Sequence, residues 1–389
     1  MALLVAAGCG GGGSHGGFFA SSATAPTTSR TTPAPITSAT KPPKPPKPPA
    51  PVTTTTTTAP VKSYDGTGTV ALVGTTKAVV FTNASGKKWE LEGPRVKELS
   101  TKLALGKADE AKGWPVRVRG HTSTATTQTS GATSVELVEF SFTTALTNKT
   151  VATGAVLRQK SFTSLYASKQ NLCVFEADPS KKNIGLRLGR TSSTAGEITS
   201  SIAKRLNAEA AINASFFEFA QHTPTGFFKV ADKILFPNGS GRARSTFGLD
   251  VRGDPLLMTL APGDKWTVAR DALGAGPGLV TGGTAKVATA EGFGATFASD
   301  RHPRSAIGIK PSGVVVLVAV DGRTTHGAGM SLPELARVMV LLGCDKAMNL
   351  DGGGSTALYV KGQGTKGVVN HPSDPGGERL VSTAILIDW

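Results

Sequence analysis

The stretch Asn349-Leu-Asp-Gly-Gly-Gly-Ser-Thr-Ala357 decides how the C-terminal part of this chain is interpreted. The apolar run Ala347–Leu350 leads into Asp351, and a second apolar run, Ala357–Val360, follows the glycines. A strand that ends in a polar, glycine-rich loop is a common setting for an active site. The residues after the aspartate predict a nest of backbone N–H groups for phosphate, with one hydroxyl donor. They are Gly352, Gly353, Gly354 and Ser355. The alternative is a plain glycine turn between two strands.

Asp321 has the same setting, because it directly follows the apolar run Val314–Val320. Two aspartates at the ends of buried strands predict two carboxylates at one edge of the core. Carboxylates stabilise the oxocarbenium-like state of glycosyl transfer, as nucleophile or as general base. Because Asp-Gly is a common turn dipeptide, turn capping is the alternative role for either residue.

The region from Val151 to Trp389 predicts an α+β fold that is rich in strands and has few helices. Helices are expected over Gly196–Asn207 and Leu332–Leu342, the second with Ser331 as its N-cap. No nucleotide-binding glycine motif follows a strand. The expected strands are Asn171–Glu176, Ile184–Leu188, Ala210–Asn213, Phe227–Phe236, Thr246–Asp250, Ser305–Ile309, Val314–Val320, Ala347–Leu350, Ala357–Val360 and Ser382–Ile387.

Five polar segments recur along this region, most of them next to an expected strand. They are Ala211–Phe217, His302–Gly308, Val318–Arg323, Asn349–Ala357 and Asn370–Arg379. Taken in this order, they resemble the phosphodiester glycosidase family over essentially all of residues 151–389. The family's usual Asn-Gly-Gly-Tyr-Phe signature is Asn-Ala-Ser-Phe-Phe here, at residues 213–217.

The resemblance implies hydrolysis of a sugar-1-phosphodiester, of the GlcNAc-1-phosphodiester kind, at the C1–O bond. The expected catalytic residues are Asp321, Asp351 and Glu378. A phosphodiester leaving group needs charge stabilisation, which arginine supplies through bidentate contacts. The expected substrate-binding residues, besides the glycine turn, are Asn213, Arg304, Arg323, Asn370 and Arg379; His326 is a further, looser candidate.

Two other functions stay open at this point. The same scaffold would also suit a non-catalytic binder of anionic cell-wall polysaccharide. A phosphodiesterase that cleaves the P–O bond is the third reading, although such enzymes usually carry clusters of His and Asp around metal ions. No cofactor is required for the glycosidase, a divalent metal ion near Asp351 is possible, and the oligomeric state is left open.

Residues 64–145 predict a small β-barrel of the OB or SH3-like kind, with one short helix over Arg95–Leu105. No constellation of polar residues suggests chemistry there, so an accessory or wall-binding module is expected. The expected strands are Thr69–Val73, Ala78–Phe81, Lys88–Leu91, Pro115–Arg119 and Ser134–Phe142.

The first 63 residues have the composition of an export segment and a spacer. In residues 1–20, Ala6-Ala7-Gly8-Cys9 resembles the lipobox of bacterial lipoproteins, and a plain secretory signal is the alternative. Residues 21–63 are rich in Thr, Pro and Lys and predict a disordered linker. We therefore expect an extracellular or cell-surface protein, attached to a membrane only through a lipid on Cys9.

The net charge of +15 favours an anionic partner, partly through lysines in the spacer. A glycan-phosphate substrate or an anionic wall polymer fits this charge. Nucleic acid is not expected, because aromatic and basic residues do not alternate and only three Tyr and four Trp occur. Cys173 and Cys344 either pair or stay buried as thiols.

Overall fold

The computed structural model describes residues 63–73, 78–103, 105, 114–122, 133–142, 146–239 and 241–389. The predicted lipobox and all of the predicted linker except Ser63 lie outside these residues. Among the helices within the described ranges, none combines the length and the apolar character needed to cross a bilayer.

The N-terminal described segment is a closed five-stranded barrel with strand order β1-β2-β3-β5-β4. In β4, the alternation of inward and outward residues directs Trp114, Val116 and Val118 inward. The small barrel predicted from sequence is therefore confirmed. Its elements are β1 (Ser63–Val73), β2 (Ala78–Asn83), β3 (Lys88–Glu92), α1 (Pro94–Lys102), β4 (Trp114–Thr122) and β5 (Thr133–Ser141).

The remainder is built on an eight-stranded antiparallel sheet with strand order β20-β19-β23-β21-β22-β8-β7-β6. Every residue of β22 is buried, as its uninterrupted apolar sequence predicts. The strands are β6 (Lys149–Ala152), β7 (Ala155–Leu165), β8 (Ser168–Ala177), β19 (Gly278–Thr281), β20 (Thr284–Ala285), β21 (Arg304–Ile309), β22 (Val315–Val320) and β23 (Lys346–Asn349).

Smaller sheets pack around this one. A four-stranded sheet has the order β24-β11-β26-β9, and a five-stranded sheet has the order β15-β14-β18-β16-β17. Two short pairs, β10 with β25 and β12 with β13, complete the strands of the described residues. Their bounds are β9 (Gly185–Arg190), β10 (Glu197–Ile198), β11 (Ala210–Asn213), β12 (Phe217–Glu218), β13 (Thr223–Pro224), β14 (Phe228–Val230), β15 (Lys233–Phe236), β16 (Arg244–Leu249), β17 (Pro255–Leu260), β18 (Asp271–Gly274), β24 (Leu358–Val360), β25 (Leu380–Val381) and β26 (Thr383–Asp388).

Three helices in this region are short: α2 (Thr199–Arg205), α3 (Ala295–Ser299) and α4 (Leu332–Leu341). Helix α4 begins with the predicted Ser331 cap, extended to a full capping box with Glu334. The predicted helix over Gly196–Asn207 starts later, at Thr199. With many strands and few helices, the α+β prediction is confirmed.

The expected long strand over Phe227–Phe236 is wrong, because the structure has a hairpin there. Strands β14 and β15 are joined by Ala231 and Asp232, which have φ angles of +50° and +64°. Residues in this left-handed region reverse the chain and cannot continue a strand.

Two hydrophobic cores lie on opposite faces of the large sheet. The core under α4 also contains barrel residues, so barrel and sheet share it. Trp114 of the barrel packs edge-on against Tyr166 at 5.9 Å. Cys344 belongs to this core and Cys173 to the other, and both thiols are free. The alternative of a disulfide between them is therefore excluded.

Candidate active site

Polar residues collect at one edge of the eight-stranded sheet. Asp321 directly follows β22, Asp351 follows β23 by two residues, and Arg304 opens β21, which lies between those two strands. Because β21 is antiparallel to both neighbours, its start meets their ends. The strand ends that carry the two carboxyls are about 10 Å apart, twice the spacing between neighbouring strands.

Asp321 is fully buried and accepts four hydrogen bonds. Oδ2 accepts from Asn171 Nδ2 at 2.6 Å and from His371 Nδ1 at 2.7 Å. Oδ1 accepts from the backbone N–H of His371 at 2.8 Å and from Asn370 Nδ2 at 3.3 Å. Since a carboxylate only accepts, Nδ1 of His371 carries the proton in this contact. In this geometry Asp321 does not reach solvent.

The His371 imidazole connects the buried Asp321 carboxyl to the protein surface. Its side chain is 48% exposed, while the Asp321 carboxyl that it contacts is 0% exposed. The ring stacks on that of His326, with centroids 3.7 Å apart and planes 3° from parallel. An aspartate that fixes the tautomer and the orientation of an imidazole is a recurring arrangement in catalysis by acids and bases. A substrate would therefore meet His371 before Asp321.

Asp351 lies in the loop between β23 and β24. Burial raises the pKa of its carboxyl to about 6, and the hydrogen bond from the Gly352 backbone opposes the rise. The Gly352 N–H donates to Oδ1 at 2.9 Å. The backbone of Asp351 is held on both sides, since its N–H donates to Ala214 O and its carbonyl accepts from Asn213 Nδ2.

The glycine turn does not form the predicted phosphate nest from these amides. Gly352 N–H is used by Asp351, Gly353 N–H donates to the Pro303 carbonyl at 2.9 Å, and Ser355 N–H donates to Gly352 O at 3.2 Å. The glycines are needed because the turn is crowded. A Cβ on Gly352 would lie 2.7 Å from the Pro303 carbonyl oxygen, and Gly353 has a φ of +61°.

Arg304 is not placed as predicted. It is 1% exposed and donates to the carbonyls of Met330, Phe297 and Asp300 at 2.7–2.9 Å. Burial, with the charge of Arg323 nearby, lowers its pKa to about 10. The bonded N–H groups of Arg304 therefore hold together carbonyls of α3, of the residue after it and of the segment before α4, and that engagement leaves them unavailable to a phosphate.

Arg323 and Arg379 do flank the glycine turn. The exposed Arg323 donates from Nη2 to His302 Nδ1 at 2.9 Å, and its Nη1 is 3.2 Å from where a Cβ on Gly353 would stand. Arg379 forms a two-pronged ion pair with Asp374, at 2.8 and 3.0 Å, against Gly354. Burial and the positive charges of Arg304 and Arg323 lower the pKa of His302.

Of the remaining polar residues predicted for the site, one lies in it and two have structural contacts instead. Asn370 joins the site, because its Nδ2 donates to Asp321. Asn213 is fully buried and ties the loops together through Asp351 O, Ser305 Oγ and Ala357 N–H. Glu378 is engaged elsewhere: its two oxygens accept from the backbone N–H and the hydroxyl of Ser200 at the start of α2.

Residues 206–388 match the family model of the phosphodiester glycosidases. This region belongs to that family. A segment of 89 residues is 36% identical to YomE, a protein derived from the SPbeta prophage of Bacillus subtilis (strain 168). The match covers 23% of this chain and 13% of the length of YomE.

Two solved structures resemble the chain that carries this phosphodiester glycosidase region. The first is the catalytic domain of zebrafish N-acetylglucosamine-1-phosphodiester alpha-N-acetylglucosaminidase, auto-inhibited by its pro-peptide, with a TM-score of 0.50 and 19% identity over 63% of this chain and 84% of that one. The second, a hypothetical protein from Synechocystis, has a TM-score of 0.49 and 20% identity over 62% of this chain and 63% of that one. The zebrafish likeness supports the fold.

Three site residues of the phosphodiester glycosidase region were not predicted from the sequence: His371, Asn171 and His302. His371 follows Asn370 in a segment that was already singled out, so its position gave a signal. His302 opens the segment His302–Gly308, which was also singled out, so it gave the same signal. Asn171 gave none, since only the pairing of β8 with β22 brings it to this edge.

Within the described ranges, no group of three or more His, Cys, Asp and Glu side chains is arranged to hold a metal ion. A single divalent ion near Asp351 stays a prediction.

Proposed function

We propose that this protein hydrolyses a sugar-1-phosphodiester at the C1–O bond. One observation carries the proposal. A half-buried carboxyl with a raised pKa, Asp351, shares a sheet edge with an Asp321–His371 pair whose imidazole reaches solvent. A carboxyl and an imidazole at one edge can supply a base and a proton donor to the same substrate.

Asp351 acts on C1 in this proposal. With a pKa of about 6, it is ionised at neutral pH and is a stronger base than an ordinary aspartate. It attacks C1 directly, or it takes a proton from the water that does so. Its negative charge also stabilises the oxocarbenium-like transition state.

His371 is the second catalytic residue, and Asp321 is a positioning residue that acts through it. Asp321 holds Nδ1, so Nε2 is the ring nitrogen available for proton exchange with the substrate or with water. Asn171 and Asn370 fix the Asp321 carboxyl from two further sides. This arrangement assigns proton transfer to an imidazole that the sequence analysis had not considered.

The phosphate leaving group requires positive charge more than a proton. Of Arg323 and Arg379, Arg323 is the better placed, because it rests on the glycine turn next to Asp351 and donates to a ring nitrogen of His302. Arg379 already neutralises Asp374, so it contributes less net charge. No cofactor is assigned to this reaction.

The substrate and location are part of the same proposal. A sugar-1-phosphodiester within an envelope or extracellular glycan suits a chain of net charge +15. We place the protein outside the cytoplasm or at the cell surface, with a lipid on Cys9 as its anchor. The barrel of residues 64–145 would serve as an accessory module.

The test is hydrolysis of a GlcNAc-1-phosphodiester by the full chain in oxygen-18 water, followed by mass spectrometry. Label in the sugar supports C1–O cleavage, because water then bonds to C1 while the phosphomonoester departs. Free GlcNAc incubated in parallel corrects for exchange at the anomeric carbon. Label in the phosphate would make the protein a phosphodiesterase, and absence of any product across a panel of glycan phosphates would favour a binding role.

A further inference from the structure

A cavity of about 520 Å³ has Gly274 and Ala275, from the segment before β19, in its lining. Phe216, Phe293 and Arg244 stand on its walls, together with Ala275. In the sheet order, β19 lies on one side of β23, and β21 and β22 lie on the other. Since Ala275 comes just before β19, the cavity and Asp321 flank the Asp351 loop from opposite sides.

Chain neighbours of two lining residues are hydrogen-bonded to the segment that carries Asp351. Ala214, two residues before the lining residue Phe216, accepts from the Asp351 N–H at 2.8 Å. Gly276, next to the lining residue Ala275, exchanges two hydrogen bonds of 2.9 Å with Asn349. The cavity is therefore tied to the loop that carries Asp351.

The walls combine aromatic rings with one cation. Phe216 and Phe293 have ring centroids 5.5 Å apart, and Phe293 stacks in turn on Phe297 at 5.2 Å. The Arg244 guanidinium lies over the Phe293 ring, 4.3 Å from its centroid. Packing of this kind holds rings and guanidinium in place before a ligand binds.

Arg244 has capacity to bind an anion. One N–H donates to the backbone carbonyl of Glu291 at 2.6 Å. The Glu291 carboxylate itself accepts from Ser245 and Gly278, and among the described residues no carboxylate forms an ion pair with Arg244. Burial lowers the pKa of Arg244; the Glu291 charge opposes this fall and the charge of Arg242 adds to it.

The two sides of Asp351 differ in the ligand chemistry they suit. On the Asp321 side, the exposed imidazole of His371 offers a hydrogen-bonding nitrogen to a sugar hydroxyl, while the buried Asn171 and Asn370 hold the Asp321 carboxyl behind it. On the cavity side stand two phenyl rings and one guanidinium. A charged phosphate with a flat or apolar group attached matches the cavity better than a polyhydroxylated ring does.

We propose that the cavity between Phe216, Phe293 and Arg244 binds the phosphate-bearing leaving group, while the sugar lies on the Asp321 side. This inference rests on the proposed function, because it divides the same substrate between two subsites. Arg244 contacts a phosphate of the leaving group from the cavity, in addition to the charge that Arg323 supplies at the glycine turn, and the phenyl rings contact whatever the phosphate carries. The cavity thereby selects substrates by their leaving group.

Equilibrium binding by calorimetry at low ionic strength tests the assignment without requiring turnover. The probes are uridine diphosphate, which stands in for a phosphate-bearing group with a flat ring, and free GlcNAc. The variant Arg244→Gln removes the charge, and Arg244→Lys keeps it. Arg252→Gln, in the exposed turn between β16 and β17, is the matched control.

We expect Arg244→Gln to weaken uridine diphosphate binding at least about tenfold, because a charge-assisted hydrogen bond is lost. GlcNAc binding should not change, Arg244→Lys should retain part of the affinity, and Arg252→Gln should match the wild type. Loss of GlcNAc affinity instead would overturn the assignment by making the cavity the sugar subsite. Equal affinities in all variants, or no binding of uridine diphosphate to the wild type, would also overturn it.

The outcome separates this inference from the proposed function. Binding of uridine diphosphate that depends on Arg244, without hydrolysis of any phosphodiester, would support the cavity and sink the glycosidase. Hydrolysis with a KM that Arg244→Gln leaves unchanged for every leaving group would support the glycosidase and overturn the assignment of the cavity.

Discussion

Replacing Asp351 with asparagine removes the ionisable carboxyl but keeps its size and an oxygen that can accept the Gly352 N–H. If the carboxylate attacks C1 or activates water, kcat falls at least about a hundredfold. In the wild type, kcat/KM should fall as pH drops through about 6, because protonation then neutralises Asp351. The variant should lack that dependence in its residual activity.

The same substitution has a defined effect on stability. Burial raises the pKa of Asp351 from its ordinary 3.8 to about 6, so the folded protein holds this proton more tightly than the unfolded chain does. The associated stabilisation is fully present below pH 3.8 and is lost as pH rises through 6. The difference corresponds to about 3 kcal/mol at most, at 1.36 kcal/mol for each pKa unit. Asparagine avoids this cost of burying a charge.

Urea unfolding of wild type and Asp351→Asn, near pH 4 and near pH 8, measures this effect. Relative to the wild type, the variant should gain up to about 3 kcal/mol of stability between the lower and the higher pH. Asp254→Asn, in the exposed turn before β17, is the control for both assays. A stability difference that is equal at the two pH values would refute the raised pKa of the Asp351 carboxyl. An unchanged kcat would refute its catalytic role.

Three further substitutions test the remaining assignments. His371→Asn should lower kcat by about a hundredfold or more with little change in melting temperature, because the side chain is 48% exposed, whereas full activity would remove it from the mechanism. Glu378→Ala should cost about 1 kcal/mol of stability through the lost cap on α2 and leave kcat unchanged; a large fall in kcat would return Glu378 to the site. Gly352→Ala sets a Cβ against a backbone carbonyl and should lower the free energy of unfolding by about 1–3 kcal/mol. Gly354→Ala should lower it less, because its Cβ meets only side-chain ends. Denaturation curves in the opposite order would contradict the packing of the turn.

The sequence was sufficient to place the two aspartates. An apolar run followed by Asp-Gly implies a buried strand and its end, and β22 ends at Val320 as that pattern predicts. Strand β11 was predicted at its observed bounds, Ala210–Asn213. Local hydrophobicity alone predicts these strand bounds, so a single sequence is enough to find them.

The partners of polar side chains could not be read in the same way. Arg304 stands in a motif that resembles the family's, yet its guanidinium is used by carbonyls from α3 and from the segment before α4. Glu378 lies close in sequence to Arg379 at the site, yet it turns to the start of α2. Long side chains reach in several directions, and only the tertiary packing decides which acceptors meet them.

The longest strand missed from sequence is β7, Ala155–Leu165. Its middle carries Arg158, Gln159 and Lys160, which interrupt the apolar run, although its buried positions are set by pairing with β8 along nearly its whole length. A strand next to a fully buried neighbour tolerates polar residues on its outer face. The position of β7 is therefore determined by its pairing with β8, which the composition of β7 does not reveal.

The barrel and the large sheet share a hydrophobic core, so deletion of the barrel is a poor test of its role. Trp114 packs on Tyr166, and Arg337 of α4 donates from Nε to the Leu103 carbonyl at 3.0 Å. Because barrel side chains fill part of the core beneath α4, removing residues 64–145 would expose apolar surface of the catalytic region as well as delete a module. Loss of wall binding in such a deletion would not distinguish a binding surface from a damaged core. Substitutions of exposed barrel residues, such as Lys88 on β3, leave that core intact and isolate the binding role.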